Sequence, residues 1–306
     1  MININRYLTT EQSQKCVADC DKEFDLQLEN IYDDLLLSRG RFHGQSVKAI
    51  ALCGPTCAGK TTTAKKLTSM LEAHGKRVHV LSIDDYYYDR KILKERSKGG
   101  EIDFDSPDTI DTKELLLTIR EIFDDEENVV EVPTYDFKLG TRGEPRFIPV
   151  DDRDIFIFEG IQVFYPNVFS LLNSYPTTSV YINAMKSIQS GNRTFPCVDL
   201  RLYRRIVRDF YRREAAPEFT FDIWKTVRRN EDDNIFPYIH RSKIMLNSTM
   251  AYEIGMLKPY LDEILSLVPK NSEHYYRSQD ILESISDFSP ISKEFLSPDS
   301  LFHEFV

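Results

Sequence analysis

The chain has no hydrophobic stretch long enough to cross a membrane; its apolar runs, such as Ile155 to Phe158, stop far short of the roughly 20 residues a spanning helix needs. Met1 to Thr10 is polar and carries no apolar core, so no secretory leader is expected. Cysteine is scarce and odd in number, 5 in 306 residues, which argues against a disulfide framework and for a reducing, cytoplasmic setting. Basic charge is in deficit: 39 Lys and Arg against 49 Asp and Glu leave a net charge of −10. That argues against non-specific nucleic-acid binding, which runs on phosphate neutralisation. No internal repeat is present and the 6 histidines show no ligand spacing. The acidic run Asp124 to Glu127 reads as a solvated turn, and Cys16 with Cys20 as small residues of a helix rather than half a metal site. What remains is ordinary for a soluble protein, 41% hydrophobic and 29% charged, with enough length to bury a sizeable core.

Patterning then divides the chain. Thr9 to Arg39 has a helical stripe of Phe24, Leu28, Ile31 and Leu35, a capping box of Thr9 with Gln12, and Gly40 as its stop. Val47 to Cys53 is a short buried-type strand, Lys60 to His74 a helix ended by Gly75, and Arg77 to Ile83 a second strand. Strand, helix, strand in that order is the unit of a parallel sheet. Further strands are expected at Asp154 to Phe158, Val180 to Asn183 and Lys243 to Leu246, and helices at Leu200 to Arg213 and Ala251 to Leu267. Val129 to Val132 and Phe147 to Val150 flank a loop with Gly and Pro and read as an inserted hairpin. From Pro269 onward the chain is Ser-rich and weakly patterned, with one helix expected near Asp280 to Ile285.

The strongest motif is Gly54-Pro55-Thr56-Cys57-Ala58-Gly59-Lys60-Thr61, a G-x-x-x-x-G-K-[ST] phosphate loop set between a strand and a helix, followed by Thr62. Its glycines let backbone amides wrap phosphates, and the helix N-terminus adds partial positive charge. Lys60 can reach the terminal phosphates and the Thr61 hydroxyl can hold Mg²⁺, so nucleotide binding is expected. A guanine-binding N-K-x-D is missing, which argues against a GTP-driven switch. Asp84 directly follows the second strand, at the sheet end where ligands collect, and reads either as a base or metal-side acid or as a turn cap. Glu159 ends a hydrophobic strand as a second metal-side carboxylate or a loop cap. Arginine is concentrated between Arg193 and Arg213, offset only by Asp199 and Asp209, so a local polyanion is expected there. Trp224 reads as a packing anchor.

With the phosphate loop, Ser82-Ile-Asp84-Asp85-Tyr86-Tyr87, Phe104-Asp105-Ser-Pro-Asp108-Thr-Ile-Asp111, Pro133-Thr-Tyr135-Asp136-Phe137, Phe158-Glu159-Gly160-Ile161 and the arginine stretch in order, the chain from about Ile50 to Tyr260 resembles the uridine kinase/phosphoribulokinase family of P-loop kinases. The resemblance implies an α/β fold with a central parallel sheet, an inserted β-hairpin forming the acceptor pocket and a helical arginine lid. It implies transfer of phosphate from ATP to the 5′-hydroxyl of a nucleoside. Asp84 matches the base, Asp105 the residue holding the ribose hydroxyls, and Phe104, Tyr87, Tyr135 and Phe137 an aromatic wall. Core packing is the competing reading of those rings. Arg205 and Arg208 match lid arginines that bridge donor and acceptor phosphates, and Thr61, Glu159 and Asp84 the Mg²⁺ side. One position departs: Gly140 stands where a pyrimidine-recognising His is expected in Tyr135-Asp-Phe-Lys-Leu-Gly140-Thr-Arg142. The stretch from Asn192-Arg193 to Tyr252-Glu253 looks more like a bacterial nucleoside kinase-like branch. The expected organisation is an N-terminal helical arm (1–40), a P-loop kinase domain (41–268, lid about 190–235) and a C-terminal extension (269–306). The expected partner is a small-molecule nucleoside, with neither nucleic acid nor membrane, in a chain that could assemble as a homo-oligomer. Two alternatives stay open: another small alcohol as acceptor, or a non-catalytic nucleotide-binding regulator.

Overall fold

The computed structural model describes residues 1–36, 41–42, 45–97, 102, 104, 106–124 and 129–306, and for 34–36, 41–42 and 45–46 the backbone alone. Gly40, Asp105 and most of the acidic run after Asp124 lie outside the described residues. The first long element is α1 (Thr10–Leu36). Its start is the capping box expected from sequence: Gln12 N donates to Thr9 Oγ1 (3.2 Å) and Thr9 N to Gln12 Oε1 (3.0 Å).

The sheet is built from β1 (Ala49–Cys53), β2 (Arg77–Ser82), β5 (Asp154–Gly160), β6 (Thr177–Asn183) and β7 (Ile244–Asn247), parallel throughout in the order β7-β6-β1-β5-β2. Between β2 and β5 the antiparallel pair β3 (Val129–Val132) and β4 (Arg146–Pro149) is inserted, as expected, its second strand starting one residue earlier than the sequence suggested. Central β1 reads as an unbroken apolar run because both its faces are covered. Ile50 and Leu52 point into one core, and Ala49, Ala51 and Cys53 into the other.

The first core lies under α1, α2 (Lys60–Ala73), α6 (Cys197–Arg213), α7 (Pro217–Asn230), α8 (Glu253–Ser266) and α9 (Tyr275–Ile285). The second lies under α3 (Arg90–Arg96), α4 (Thr112–Phe123) and α5 (Pro166–Leu172). Phe24, Leu28 and Ile31 of α1 pack in the first core together with Phe288, Leu301, Phe302 and Phe305 from the last residues. The arm and the extension are therefore joined to the sheet's own core. The tail's apolar residues have no helical or strand period because its fixed points are single helical turns capped by serine: Ser292 Oγ accepts from Glu294 N, and Ser300 Oγ from Phe302 N.

Candidate active site

Strand β1 delivers Gly54 to the carboxyl end of the sheet, and the loop Gly54 to Gly59 turns into α2 at Lys60. Two residues adopt left-handed backbone, Cys57 (φ 56°) and Gly59 (φ 98°), and this is what curls successive amides into an anion cradle. The start of the 14-residue α2 closes that cradle. Lys60 Nζ donates back to the carbonyls of Gly54 (2.9 Å) and Pro55 (3.1 Å), which keeps the ammonium beside the loop.

The loop is held from outside by α6. Arg201 donates to the Thr56 carbonyl (3.2 Å), Arg204 to the Cys57 carbonyl (3.3 Å), and Arg205 to Thr56 Oγ1 (3.1 Å). Arg201 and Arg204 are fully buried, and each forms a two-pronged ion pair: Arg201 with Glu231 (2.6 and 2.7 Å), Arg204 with Glu253 (2.7 and 3.0 Å). Their charge is spent on shaping the loop, so only part of the arginine stretch is available to a polyanion. Arg205, Arg208 and Arg213 converge instead on one buried carboxylate, Asp209, at 3.0, 2.9 and 3.5 Å. One negative charge against three positive ones leaves the group cationic.

Opposite, β2 ends at Ser82, whose hydroxyl caps the turn Ile83–Tyr86 by accepting from Asp84 N (3.4 Å). Asp84 is held by Gln162, whose Nε2 donates to Asp84 Oδ1 (2.7 Å) and to the Tyr87 hydroxyl (2.9 Å). Burial pushes the Asp84 carboxyl up, against the Gln162 hydrogen bond and the charges of Lys60 and Arg213. Glu159, paired in register with Ser82, is also pushed up by burial, with Lys60 opposing and Asp84 reinforcing. Asp85, though adjacent, is structural: it accepts from Tyr135 N (3.2 Å) and pairs with Arg146 (3.6 Å), tying the inserted hairpin to β2.

A cavity of about 290 Å³ is lined by Thr56, Cys57, Lys60, Thr61, Asp84, Glu159, Arg205, Arg208 and Arg213, with Tyr87 and Phe137. Pro55, Ala58 and Gly59 form the buried back of the loop, and Thr62 follows on the first turn of α2. The aromatic candidates form one cluster, Tyr87 standing 6.2 Å from Phe104, 5.6 Å from Tyr135 and 6.0 Å from Phe137 between ring centroids. Tyr135 is buried away from the cavity, so core packing describes it; Tyr87 is buried yet lines the cavity, as does the exposed Phe137, while Phe104 is exposed and is not among the lining residues. Gly140 has φ 72°, and a Cβ there would lie 2.7 Å from Arg90 Nε, so a side chain at the position expected to carry His would sit in strained left-handed backbone and require Arg90 to move. Asp105 is not among the described residues.

Sequence reasoning missed Gln162, and it placed Asp209 and Arg213 in the arginine stretch without giving either a role in the site. Gln162 is a polar residue in the apolar turn Ile161 to Phe164, and Asp209 sits four residues after Arg205; both were visible signals. Burial pushes the Cys53 thiol up to about 12, away from the reactive thiolate. Among the described residues, one group has metal-ligand spacing, Asp222, Glu273 and His274, and none of these lines the cavity. No helix among the described residues is long and apolar enough to cross a membrane.

The model of the phosphoribulokinase/uridine kinase family matches residues 49–254, more than half of the chain. Uridine-cytidine kinase B of Dictyostelium discoideum is 29% identical over 64% of this chain and 72% of its own length. A uridine kinase of Clostridium botulinum is 30% identical over 59% of this chain and 77% of its own. The chain spans 58% of uridine-cytidine kinase 2-B of Danio rerio and 29% of uridine kinase-like protein 4 of Arabidopsis thaliana. In solved structures, a possible uridine kinase from Bacillus stearothermophilus superposes with a TM-score of 0.48 at 17% identity, over 74% of this chain and 100% of that one. The α/β P-loop architecture and the ordered motifs around one cavity agree with the family match: this chain belongs to the phosphoribulokinase/uridine kinase family.

Proposed function

We propose that this chain is an ATP-dependent phosphotransferase that phosphorylates the 5′-hydroxyl of a nucleoside. The observation that carries the reading is the half-buried carboxylate of Asp84, which lines one cavity with Lys60, Thr61 and the arginines of α6. Backbone amides of the loop after Pro55 and the Lys60 ammonium bind the terminal phosphates of ATP. Gln162 fixes the Asp84 carboxylate through Oδ1 and leaves Oδ2 to accept the proton of the acceptor hydroxyl. Arg205 and Arg208, oriented by Asp209, neutralise the charge spread over the transferring phosphoryl group.

The Thr61 hydroxyl and the Glu159 and Asp84 carboxylates are hard oxygen donors lining the same cavity and fit Mg²⁺. When bound, the ion screens the phosphate oxygens. Phe104 and Phe137 stack on the acceptor's base, and Asp105 accepts its ribose hydroxyls. The segment 190–235, expected as a lid, instead packs α6 and α7 on the core and contributes Arg205, Arg208 and Arg213 to the cavity as a fixed wall. The likeness of this chain to uridine kinases supports a nucleoside acceptor.

The test is incubation of the protein with ATP, Mg²⁺ and a panel of nucleosides, sugar phosphates and other alcohols, with products read by mass spectrometry. Equal amounts of ADP and a nucleoside 5′-monophosphate are expected. ATP consumption with a non-nucleoside acceptor, or with none, overturns the reading.

A further inference from the structure

A second and larger cavity, about 790 Å³, opens beside the phosphate cavity and shares four residues with it: Thr61, Arg208, Arg213 and Glu304. Its size suits a nucleoside. It runs along the outer face of α2, where Thr62, Lys65 and Ser69 line it, and its opposite wall is the C-terminal strap, Pro298 to Glu304. The strap lies outside the residues that match the family model, which end at 254.

The strap is built in rather than draped. Leu301 presses on the phosphate loop so closely that a Cβ on Gly59 would lie 2.5 Å from its Cδ1. Lys66 of α2 bridges Asp25 of α1 and Asp299 of the strap, each at 2.7 Å. Asp21 of α1 accepts from the hydroxyls of Ser297 (2.7 Å) and Ser300 (3.0 Å). Phe302 and Phe305 are fully buried beneath the Arg204 guanidinium, which lies 5.3 and 5.1 Å from their ring centres. Arg212 donates to the His303 carbonyl at 2.5 Å. These contacts fix Glu304 at the mouth joining the two cavities, where its Oε2 lies 3.4 Å from Thr62 Oγ1.

We propose that the strap is one wall of the donor-nucleotide site and that the Glu304 carboxylate receives the donor's ribose hydroxyls. This rests on the reading that the phosphate loop holds a triphosphate. A triphosphate whose terminal group lies near Asp84 and Glu159 leaves the cradle past Thr62, so the atoms reaching the mouth are those of the sugar. A carboxylate there is acceptor-only: it repels phosphate and accepts hydroxyl protons through strong, charge-assisted bonds. The larger cavity then takes the base.

Calorimetry on the full chain with Mg²⁺ and each of ATP, 2′-deoxy-ATP, 3′-deoxy-ATP and inorganic tripolyphosphate tests this, using wild type and Glu304→Ala, with Glu304→Gln as the second variant should the first not fold. Wild type is expected to prefer ATP to at least one deoxy donor by about tenfold, the worth of a charge-assisted hydrogen bond. Glu304→Ala is expected to erase that preference without weakening tripolyphosphate. Preserved preference in the variants, or wild type that does not distinguish ATP from the deoxy donors, overturns the assignment. So does equal strengthening of ATP and tripolyphosphate in the variants, which would make Glu304 a plug in the phosphate path. Wild type that binds neither ATP nor tripolyphosphate would instead sink the phosphate-loop reading itself.

Discussion

Arg201 and Arg204 sit on the same helix as Arg205 and Arg208, within eight residues, yet the two pairs live in different physical settings. The first pair is buried, Arg204 matched by Glu253 and Arg201 by Glu231, whose second partner Arg228 also has Asp232, and both guanidiniums spend further hydrogen bonds on the phosphate loop's backbone. The second pair shares Asp209 with Arg213 and borders the cavity. Charge that is fully matched fixes a shape; charge that is under-matched is available to a ligand. The same contrast separates Asp85, tied to an amide and to Arg146, from Asp84, which lines the cavity; burial raises both carboxyls, so the partners make the difference.

The comparison is most easily broken on the matched side. Glu253→Gln leaves the Arg204 charge buried without a counter-ion and is expected to cost about 3–5 kcal/mol of stability, read by chemical denaturation. Unchanged stability would show that this pair does not hold the loop. On the cavity side, Arg208→Met should leave the denaturation midpoint near that of wild type while turnover falls about 10³-fold, as for other arginines that stabilise a transferring phosphoryl group. A variant that unfolds instead would place Arg208 with the structural pair.

Gln162→Met sharpens the carboxylate half. Removing its hydrogen bond to Asp84 takes away a contact that favours the ionised form, so the acid limb of the turnover profile should move to higher pH, with about a tenfold loss below it. The stability sign runs the other way. The folded Asp84 carboxyl holds its proton more tightly than an unfolded one near 3.8, so this group favours folding below that value and loses its contribution as pH rises through the folded value. The smallest effect expected is that of Thr56→Val. It removes the acceptor of Arg205 Nη1 and should cost about 1 kcal/mol, seen as a modest rise in KM for ATP.

Much of this was legible in the sequence where one local rule decides the outcome. The phosphate loop, the capping box at Thr9, the apolar strand β1 and the acids at strand ends all follow from patterns a few residues long. What was not legible depends on partners far away in the chain. Arg201 and Arg205 cannot be told apart without Glu231 and Asp209, and while the strand end marks Asp84, the structural task of Asp85 needs Tyr135 and Arg146 to be seen. The strap escaped because Leu301, Phe302 and Phe305 are placed by contacts with α2 and α6 rather than by a period of their own. Gly140 was legible as a departure, but its cause, the Arg90 side chain across it, was not.

The central claim is that Asp84 is the proton acceptor of a phosphoryl transfer prepared by the phosphate loop. The direct measurement is turnover and ATP affinity of Asp84→Asn, with its melting temperature taken alongside. The account predicts a loss of turnover of about 10²- to 10⁴-fold, unchanged ATP binding and a melting temperature no lower than wild type, since burial disfavours the charge that is removed. Turnover close to wild type in that variant would contradict it.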